Sequence, residues 1–201
     1  PTQLRQGEQV LTIFRDSGAE ILAEDLGVVP DFVRASLARL GVPGCKVLRW
    51  ERHWHFVGQP FVDPASYPSL SVAMTGTHDT ETLAAWWDEA PRAERSAALY
   101  LRWFLDRGLV DPSDGWTEPL RDAFLALAYH AGSNDVFFPM QDLFGWHDRI
   151  NTPATVTDAN WTWRLPWPVD RLREEPAATE RARFCRALAR DSGRGSGGDR
   201  T

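Results

Sequence analysis

Two hydrophobic patterns alternate along the chain: helical repeats and short apolar runs. The repeats predict helices at residues 8–16, 30–41, 81–88, 93–106, 117–131 and 176–189. The apolar runs predict strands at 20–24, 45–50, 71–75 and 136–140. Strands that alternate with helices are typical of a parallel sheet with right-handed crossovers, so we expect an α/β fold. Four strands are too few to close a barrel, which takes about eight strands and about 250 residues.

Charged side chains come directly after two of the predicted strands. The run Ile21–Ala23 ends in Glu24 and Asp25, and the third strand is followed by His78 and Asp79. A charge at the end of a buried strand is costly unless something uses it, and such strand ends are where α/β sheets build sites. We therefore expect Glu24 and Asp79 to share one pocket. The alternative is that each carboxylate only caps the helix that follows it.

Paired carboxyl groups suit the chemistry of glycosidic bonds. Retaining enzymes place a nucleophile and an acid/base about 5–5.5 Å apart across the bond. Glu24, beside Asp25 at the end of a strand that we expect to be buried, is suited to holding a proton. Asp79 could be the nucleophile or a third carboxylate that binds sugar hydroxyls, and His78 could donate to a hydroxyl. Position in the sequence does not separate these roles.

Composition narrows the class of protein and its partners. The net charge of −6 over 201 residues disfavours a nucleic-acid partner. Ten tryptophans are many for this length; some must lie in the core, the more frequent role of any single Trp, but this number also suits stacking on sugar rings. No apolar run approaches the roughly 18 residues that span a bilayer, so no membrane partner is expected. The two distant cysteines, Cys45 and Cys185, indicate a reducing compartment and predict a cytoplasmic location.

A metal site is the weaker alternative. His53 and His55 could ligate a metal from one face of a strand, but no third ligand has suggestive spacing. We expect His130 and His147 to complete ordinary hydrogen bonds. No metal or organic cofactor is expected for the chemistry described above.

Six sequence blocks, in order, resemble the amylomaltases, the 4-α-glucanotransferases of glycoside hydrolase family 77. They run from residue 20 to about residue 167 and are Ala23–Gly27, Val42–Leu48, Thr75–Thr80, Gln141–Gly145, Arg149–Pro153 and Asn160–Leu165. Two stretches depart from the family pattern. Residues 64–68 read Pro-Ala-Ser-Tyr-Pro where many members have Pro-His-Asn-Tyr-Pro, and Thr80-Glu81-Thr82 stands where Asn-Asp-Thr is frequent.

The resemblance implies a (β/α)8 barrel, a retaining mechanism and specific residue roles. Glu24 falls on the general acid/base after the fifth strand, and Asp79 on the carboxylate that stabilises the transition state after the seventh. His78, Asp25 and Asn151 fall on substrate-contacting positions. The implied activity transfers α-1,4-glucan segments from maltooligosaccharide donors to glucose or glucan acceptors. A hydrolase of the α-amylase type and a non-catalytic glucan-binding module remain the alternatives.

One catalytic group of the family has no counterpart in this sequence. The family's nucleophile is an Asp in an Arg-x-Asp motif at the end of the fourth strand, and Asp16 lies in a predicted helix instead. The chain also begins at Pro1 without a Met, so we expect a fragment. Residues 1–190 would form the C-terminal half of the barrel, strands five to eight, and 191–201 a flexible tail. Such a fragment should be inactive alone and should expose the edge of its first strand.

Overall fold

A computed structural model describes residues 2–109, 111–112 and 115–195. The described residues contain eight α-helices and three strands, here given in chain order: α1 (Thr2–Asp16), α2 (Asp31–Leu40), β1 (Gly44–Val47), β2 (Ser71–Met74), α3 (Leu83–Glu89), α4 (Arg92–Leu99), α5 (Arg102–Leu105), α6 (Glu118–Tyr129), β3 (Asp135–Phe137), α7 (Met140–Phe144) and α8 (Pro176–Asp191). Short 3-10 helices occupy Pro64–Ser66 and Val169–Arg171.

The three strands form one parallel sheet in the order β1-β2-β3, which confirms the predicted α/β class. Gly44 of β1 pairs with Ser71, and Val72 of β2 pairs with Asp135. The central strand β2 is buried, with Ala73 fully inaccessible, because helices and neighbouring strands cover it. Parallel pairing places the carboxyl ends of all three strands at the same edge of the sheet, and the candidate site lies there.

The strand predicted at residues 20–24 is reduced to a single bridge. Ala23 pairs with Gly44 in parallel, and its backbone N–H donates to the carbonyl of Pro43 at 2.9 Å. The next backbone donor of β1, Cys45 N–H, goes to the side chain of Asp25 at 2.7 Å. The prediction of a buried strand was wrong here, because a carboxylate takes this donor and because Leu22 is 38% exposed.

The main core lies where α3 to α6 pack against the sheet. Trp87 and Phe104 are fully buried, and Phe124 of α6 sits between them with ring centroids 5.8 and 4.7 Å away. Both pairs meet edge to face, the geometry that aromatic quadrupoles favour. Val136 of β3 and Phe138 pack against this core, so it supports β3 and the chain that follows it.

Three helices differ from the prediction in where they begin, whether they are continuous, or whether they were predicted at all. The helix predicted at 81–88 begins at Leu83, and its cap is Thr82, whose hydroxyl accepts from the backbone N–H of Ala85 at 3.2 Å. Thr80 instead closes the turn before it, as described below. The helix predicted over 93–106 is divided in two, because Leu101 is extended with ψ 133°. Helix α7, between Pro139 and the left-handed Gly145, was not predicted.

The predicted tail is described only as far as residue 195. There the Arg194 guanidinium donates to the carbonyls of Tyr129 at 2.7 Å and Asn134 at 2.8 Å, which ties the end of α8 to the α6–β3 connection. Residues 196–201 of the predicted tail lie outside the described residues. None of the helices in the described part of the chain is both long enough and apolar enough to span a bilayer.

Candidate active site

The loop that follows β2 is closed by one threonine. The backbone N–H of Thr77 donates to Thr80 Oγ1 at 2.9 Å, and the same hydroxyl donates back to the Thr77 carbonyl at 3.1 Å. Gly76 leaves the room for this turn, because a Cβ added there would lie 2.7 Å from Thr80 Oγ1. The tight turn presents His78 and Asp79 at its tip.

The carboxylate of Asp79 has two polar neighbours. Asn151 Nδ2 donates to Asp79 Oδ1 at 2.7 Å, and His78 Nε2 lies 3.4 Å from the same oxygen. The backbone N–H of Asn151 also donates to the His78 carbonyl at 3.1 Å. The ring of His78 lies 5.2 Å from that of Trp161, which holds a left-handed φ of 63°. The loop after β2 and residues 149–161 therefore form one assembly around Asp79.

Two arginines meet on Glu81 directly behind this assembly. Arg49 pairs with Glu81 Oε2, and Arg149 Nη1 donates to Glu81 Oε1 at 2.7 Å. Arg149 also donates to the backbone carbonyls of Asp79 at 2.9 Å and Asn151 at 3.2 Å. Burial alone would raise the pKa of Glu81, but the hydrogen bond from Arg49 and the two positive charges lower it overall. Glu81 is therefore a permanent anion between the two arginines near neutral pH.

Glu24 and Asp25 lie in a different environment, at the edge beside β1. Asp25 is nearly buried, accepts from Cys45 N–H at 2.7 Å and has its Oδ2 at 3.6 Å from Arg34 Nε. Gly44 makes this approach possible, because a Cβ there would lie 2.5 Å from Asp25 Oδ1. Glu24 is exposed, contrary to the expectation that burial would help it to hold a proton.

A cleft of about 1150 Å³ joins the two regions. Glu24, Asp25 and Asp79 all line it, so the expectation that strand ends bring Glu24 and Asp79 to one pocket is met by the geometry. Its wall also contains Trp50 and Trp54, which are 36% and 53% exposed. Large aromatic faces beside carboxylates and cations can stack on sugar rings while charged groups meet the hydroxyls.

Of the other four histidines, His55 lines the cleft, and the remaining three serve local contacts. His53 packs edge to face on Phe56 at 5.6 Å. His130 Nδ1 lies 2.9 Å from the Ala126 carbonyl, and His147 Nε2 lies 2.8 Å from Asp88 Oδ2, as their predicted structural role requires. Among the described residues, no three His, Cys, Asp or Glu side chains are arranged to hold a metal ion.

A family model described as 4-alpha-glucanotransferase, glycoside hydrolase family 77, matches residues 4–170. The chain belongs to this family. The 4-alpha-glucanotransferase of Chlamydia caviae is 34% identical over 173 residues, covering 84% of this chain and 32% of that protein. The Thermus thermophilus enzyme is 34% identical over 171 residues, covering 80% and 33%. The chain thus spans about one third of the length of these relatives.

Solved structures agree with the family assignment. The amylomaltase of Streptococcus agalactiae, solved in complex with acarbose, superimposes with a TM-score of 0.68 at 25% identity. That match covers 92% of this chain and 34% of the amylomaltase. The resemblance of six short blocks to the amylomaltases is therefore confirmed by similarity over most of the chain.

Three residues of the site escaped prediction as functional positions. Arg149 and Trp161 lie inside blocks that resemble the family, but nothing in their spacing shows that they would reach the loop after β2. In the sequence, Glu81 is visible only as a departure from the family pattern, whereas in the structure it joins two arginines. An acidic residue between two distant arginines has no signature in a single sequence.

Proposed function

We propose that this chain supplies the C-terminal half of the (β/α)8 barrel of a 4-α-glucanotransferase, with residues 1–190 carrying strands five to eight. The parallel order β1-β2-β3, together with the bridge at Ala23, agrees in number and direction with four consecutive barrel strands. The coverage of about one third of each relative supports a chain that forms part of a longer catalytic unit. Residues 191–201 would form its tail.

In this proposal Glu24 is the general acid/base. It protonates the oxygen of the leaving glucan while an aspartate from the preceding part of the polypeptide attacks the anomeric carbon. Glu24 then removes the proton from the hydroxyl of the incoming acceptor, whose oxygen displaces the aspartate, so the anomeric configuration is retained. The proton gained in the second step restores Glu24 for the next cycle.

Asp79 stabilises the positive charge that develops on the sugar ring in both steps. Its Oδ1 is oriented by Asn151, which leaves the carboxylate facing the cleft. His78, Asp25 and Asn151 are proposed to meet sugar hydroxyls, and Trp50 and Trp54 to stack on glucose units. The substrates are α-1,4-glucan donors with glucose or glucan acceptors, and the proposed location is cytoplasmic.

The observation that carries the proposal is the shared cleft. Two carboxylates from separate strand ends, Glu24 and Asp79, line one cavity that also presents two tryptophan faces. The family match supplies the reaction class, and no step in the proposed chemistry needs a metal or cofactor.

The test is to incubate the full-length gene product with maltotriose and to identify the products. Glucose together with maltooligosaccharides longer than maltotriose is the expected result. If only products shorter than maltotriose form, the activity is hydrolysis of the α-amylase type and not transfer. Binding without turnover would favour a glucan-binding module. The 201-residue chain alone should release no glucose, because the proposed nucleophile lies outside it; release at the rate of the full-length protein would refute that assignment.

A further inference from the structure

Asp142 of α7 is a fully buried carboxylate that the proposed reaction does not use. Thr75 Oγ1, at the end of β2, donates to Asp142 Oδ2 at 2.6 Å. Leu83 N–H, at the start of α3, donates to Asp142 Oδ1 at 2.8 Å. One side chain therefore bonds both ends of the loop 76–82, whose tip carries His78 and Asp79.

The loop also packs closely on this carboxylate. A Cβ added at Gly76 would lie 3.5 Å from Asp142 Oδ2, so the chain leaves β2 in direct contact with the buried group. Thr75 as a whole is only 1% exposed, which leaves water little access to the bond. A buried carboxylate that accepts from both ends of a loop fixes the distance between them.

We propose that Asp142 is a positioning residue that sets the geometry of the loop 76–82 and thereby the placement of Asp79 in the cleft. This inference rests on the proposed function for its effect on activity, although its structural part does not. Burial raises the pKa of Asp142 to about 6, which shows that the fold holds this carboxyl group at a cost, while its two hydrogen bonds and the charge of Arg49 partly offset the shift. A buried group that lowers stability is typically found where it fixes the geometry of a functional site.

The first test measures the loop without reference to activity. Hydrogen exchange of the backbone amides 77–83 is followed by mass spectrometry in the 201-residue chain and in Asp142→Asn and Thr75→Val variants. Asn keeps the shape of Asp142 but must reverse the bond to Thr75, and Val keeps the shape of Thr75 without its hydroxyl. Exchange in 77–83 should rise at least tenfold in Asp142→Asn and less in Thr75→Val. Unchanged exchange in both variants would overturn the proposal.

The second test measures turnover in the full-length gene product with maltotriose. The kcat of Asp142→Asn should fall at least tenfold, with the KM changed less than threefold, since Asp142 lies behind the loop rather than in the cleft. Asp122→Asn is the control, because Asp122 bonds Arg121 and Arg181 and reaches α7 only through the bond from Arg121 to the Phe144 carbonyl, without a bond to the loop. It should leave kcat within twofold and exchange of 77–83 unchanged.

The two tests separate the positioning role from the proposed reaction. Faster exchange in a protein whose parent transfers no glucan would support the positioning of the loop and refute the proposed function. Faster exchange with kcat within twofold of an active parent would refute the link between Asp142 and Asp79. A fall in kcat that Asp122→Asn reproduces would show a general loss of stability and would overturn the proposal.

Discussion

The two carboxylates of the proposed site are held very differently. Asp79 stands on a loop whose ends are bonded by Asp142 and whose tip is bonded by Asn151 and Arg149. Glu24 is exposed and directly follows Ala23, whose single bridge to Gly44 is all that is present of the predicted strand. The Asp79 side is therefore organised within this chain, whereas the position of Glu24 rests on few bonds.

This contrast separates two kinds of preorganisation. A loop that is hydrogen-bonded at both ends and at its tip can hold a carboxylate where charge develops, as electrostatic stabilisation requires. A group that moves a proton needs in addition an environment that tunes its affinity for the proton. Within this chain Glu24 is exposed, so the two carboxylates differ chiefly in how firmly their surroundings hold them.

The largest expected effects come from the two carboxylates in the full-length gene product. Glu24→Gln and Asp79→Asn should each lower kcat for maltotriose by about 10²–10⁴. A donor with a fluoride leaving group needs no protonation, and azide as acceptor needs no base, so this pair should restore turnover in Glu24→Gln. It should not restore Asp79→Asn. Equal rescue of both variants would show that the roles are misassigned.

The second-largest expected effect is a pH dependence of stability caused by Asp142, which bonds the loop that carries Asp79. The folded-state pKa of Asp142, about 6, lies above its ordinary value of 3.8, so its ionisation costs stability. The stability that the neutral Asp142 carboxyl group contributes is fully present below pH 3.8 and is lost as pH rises through 6. Relative to the wild type, Asp142→Asn should therefore gain about 2 kcal/mol of unfolding free energy between pH 4 and pH 7. Urea denaturation of the 201-residue chain at both pH values measures the difference.

Arg121→Gln provides the comparison for that measurement, because the Arg121 guanidinium stays charged across this range. Its difference from the wild type should vary much less between pH 4 and pH 7. If Asp142→Asn shows the same flat difference, the buried carboxyl group does not titrate in this range and its environment is not the one described here.

The sequence predicted the parts of the fold that periodicity encodes. The parallel sheet, α2, α6 and the strand at Ser71–Met74 follow from apolar runs and repeats, with errors of a few residues at their ends. The strand at 20–24 failed because its pattern does not show how few pairing partners it has. The helix predicted at 81–88 begins two residues later, because the Thr80 hydroxyl closes the preceding turn and Thr82 caps the helix.

Within the candidate site, only charged residues that come shortly after a predicted strand could be predicted. Glu24 and Asp79 were found in this way, and the cleft contains both. Arg149, Glu81 and Asp142 could not be found from spacing, because each acts through residues between 32 and 70 positions away. Contacts at such separation are set by the tertiary fold, which one sequence does not display.

A smaller effect tests the Glu24 side. Gly44→Ala places a methyl group 2.5 Å from Asp25 Oδ1 and must displace the carboxylate that accepts from Cys45 N–H. We expect the chain to lose about 1–3 kcal/mol of unfolding free energy. Gly7→Ala is the control, since nothing lies within 4 Å of a Cβ in that exposed part of α1, and it should stabilise by about 0.5–1 kcal/mol. Equal effects would mean that Asp25 does not hold this edge.

The smallest expected effect distinguishes charge from shape behind Asp79. Glu81→Gln keeps the size of the side chain between Arg49 and Arg149 but removes the anion. Arg149 should then hold the Asp79 carbonyl less firmly, and kcat for maltotriose in the full-length gene product should fall about tenfold, or about 1.4 kcal/mol. Glu118→Gln, at an 85% exposed side chain 3.7 Å from Arg121, should change kcat less than twofold. An unchanged kcat in Glu81→Gln would place the support of Asp79 in Asn151 and Asp142 alone.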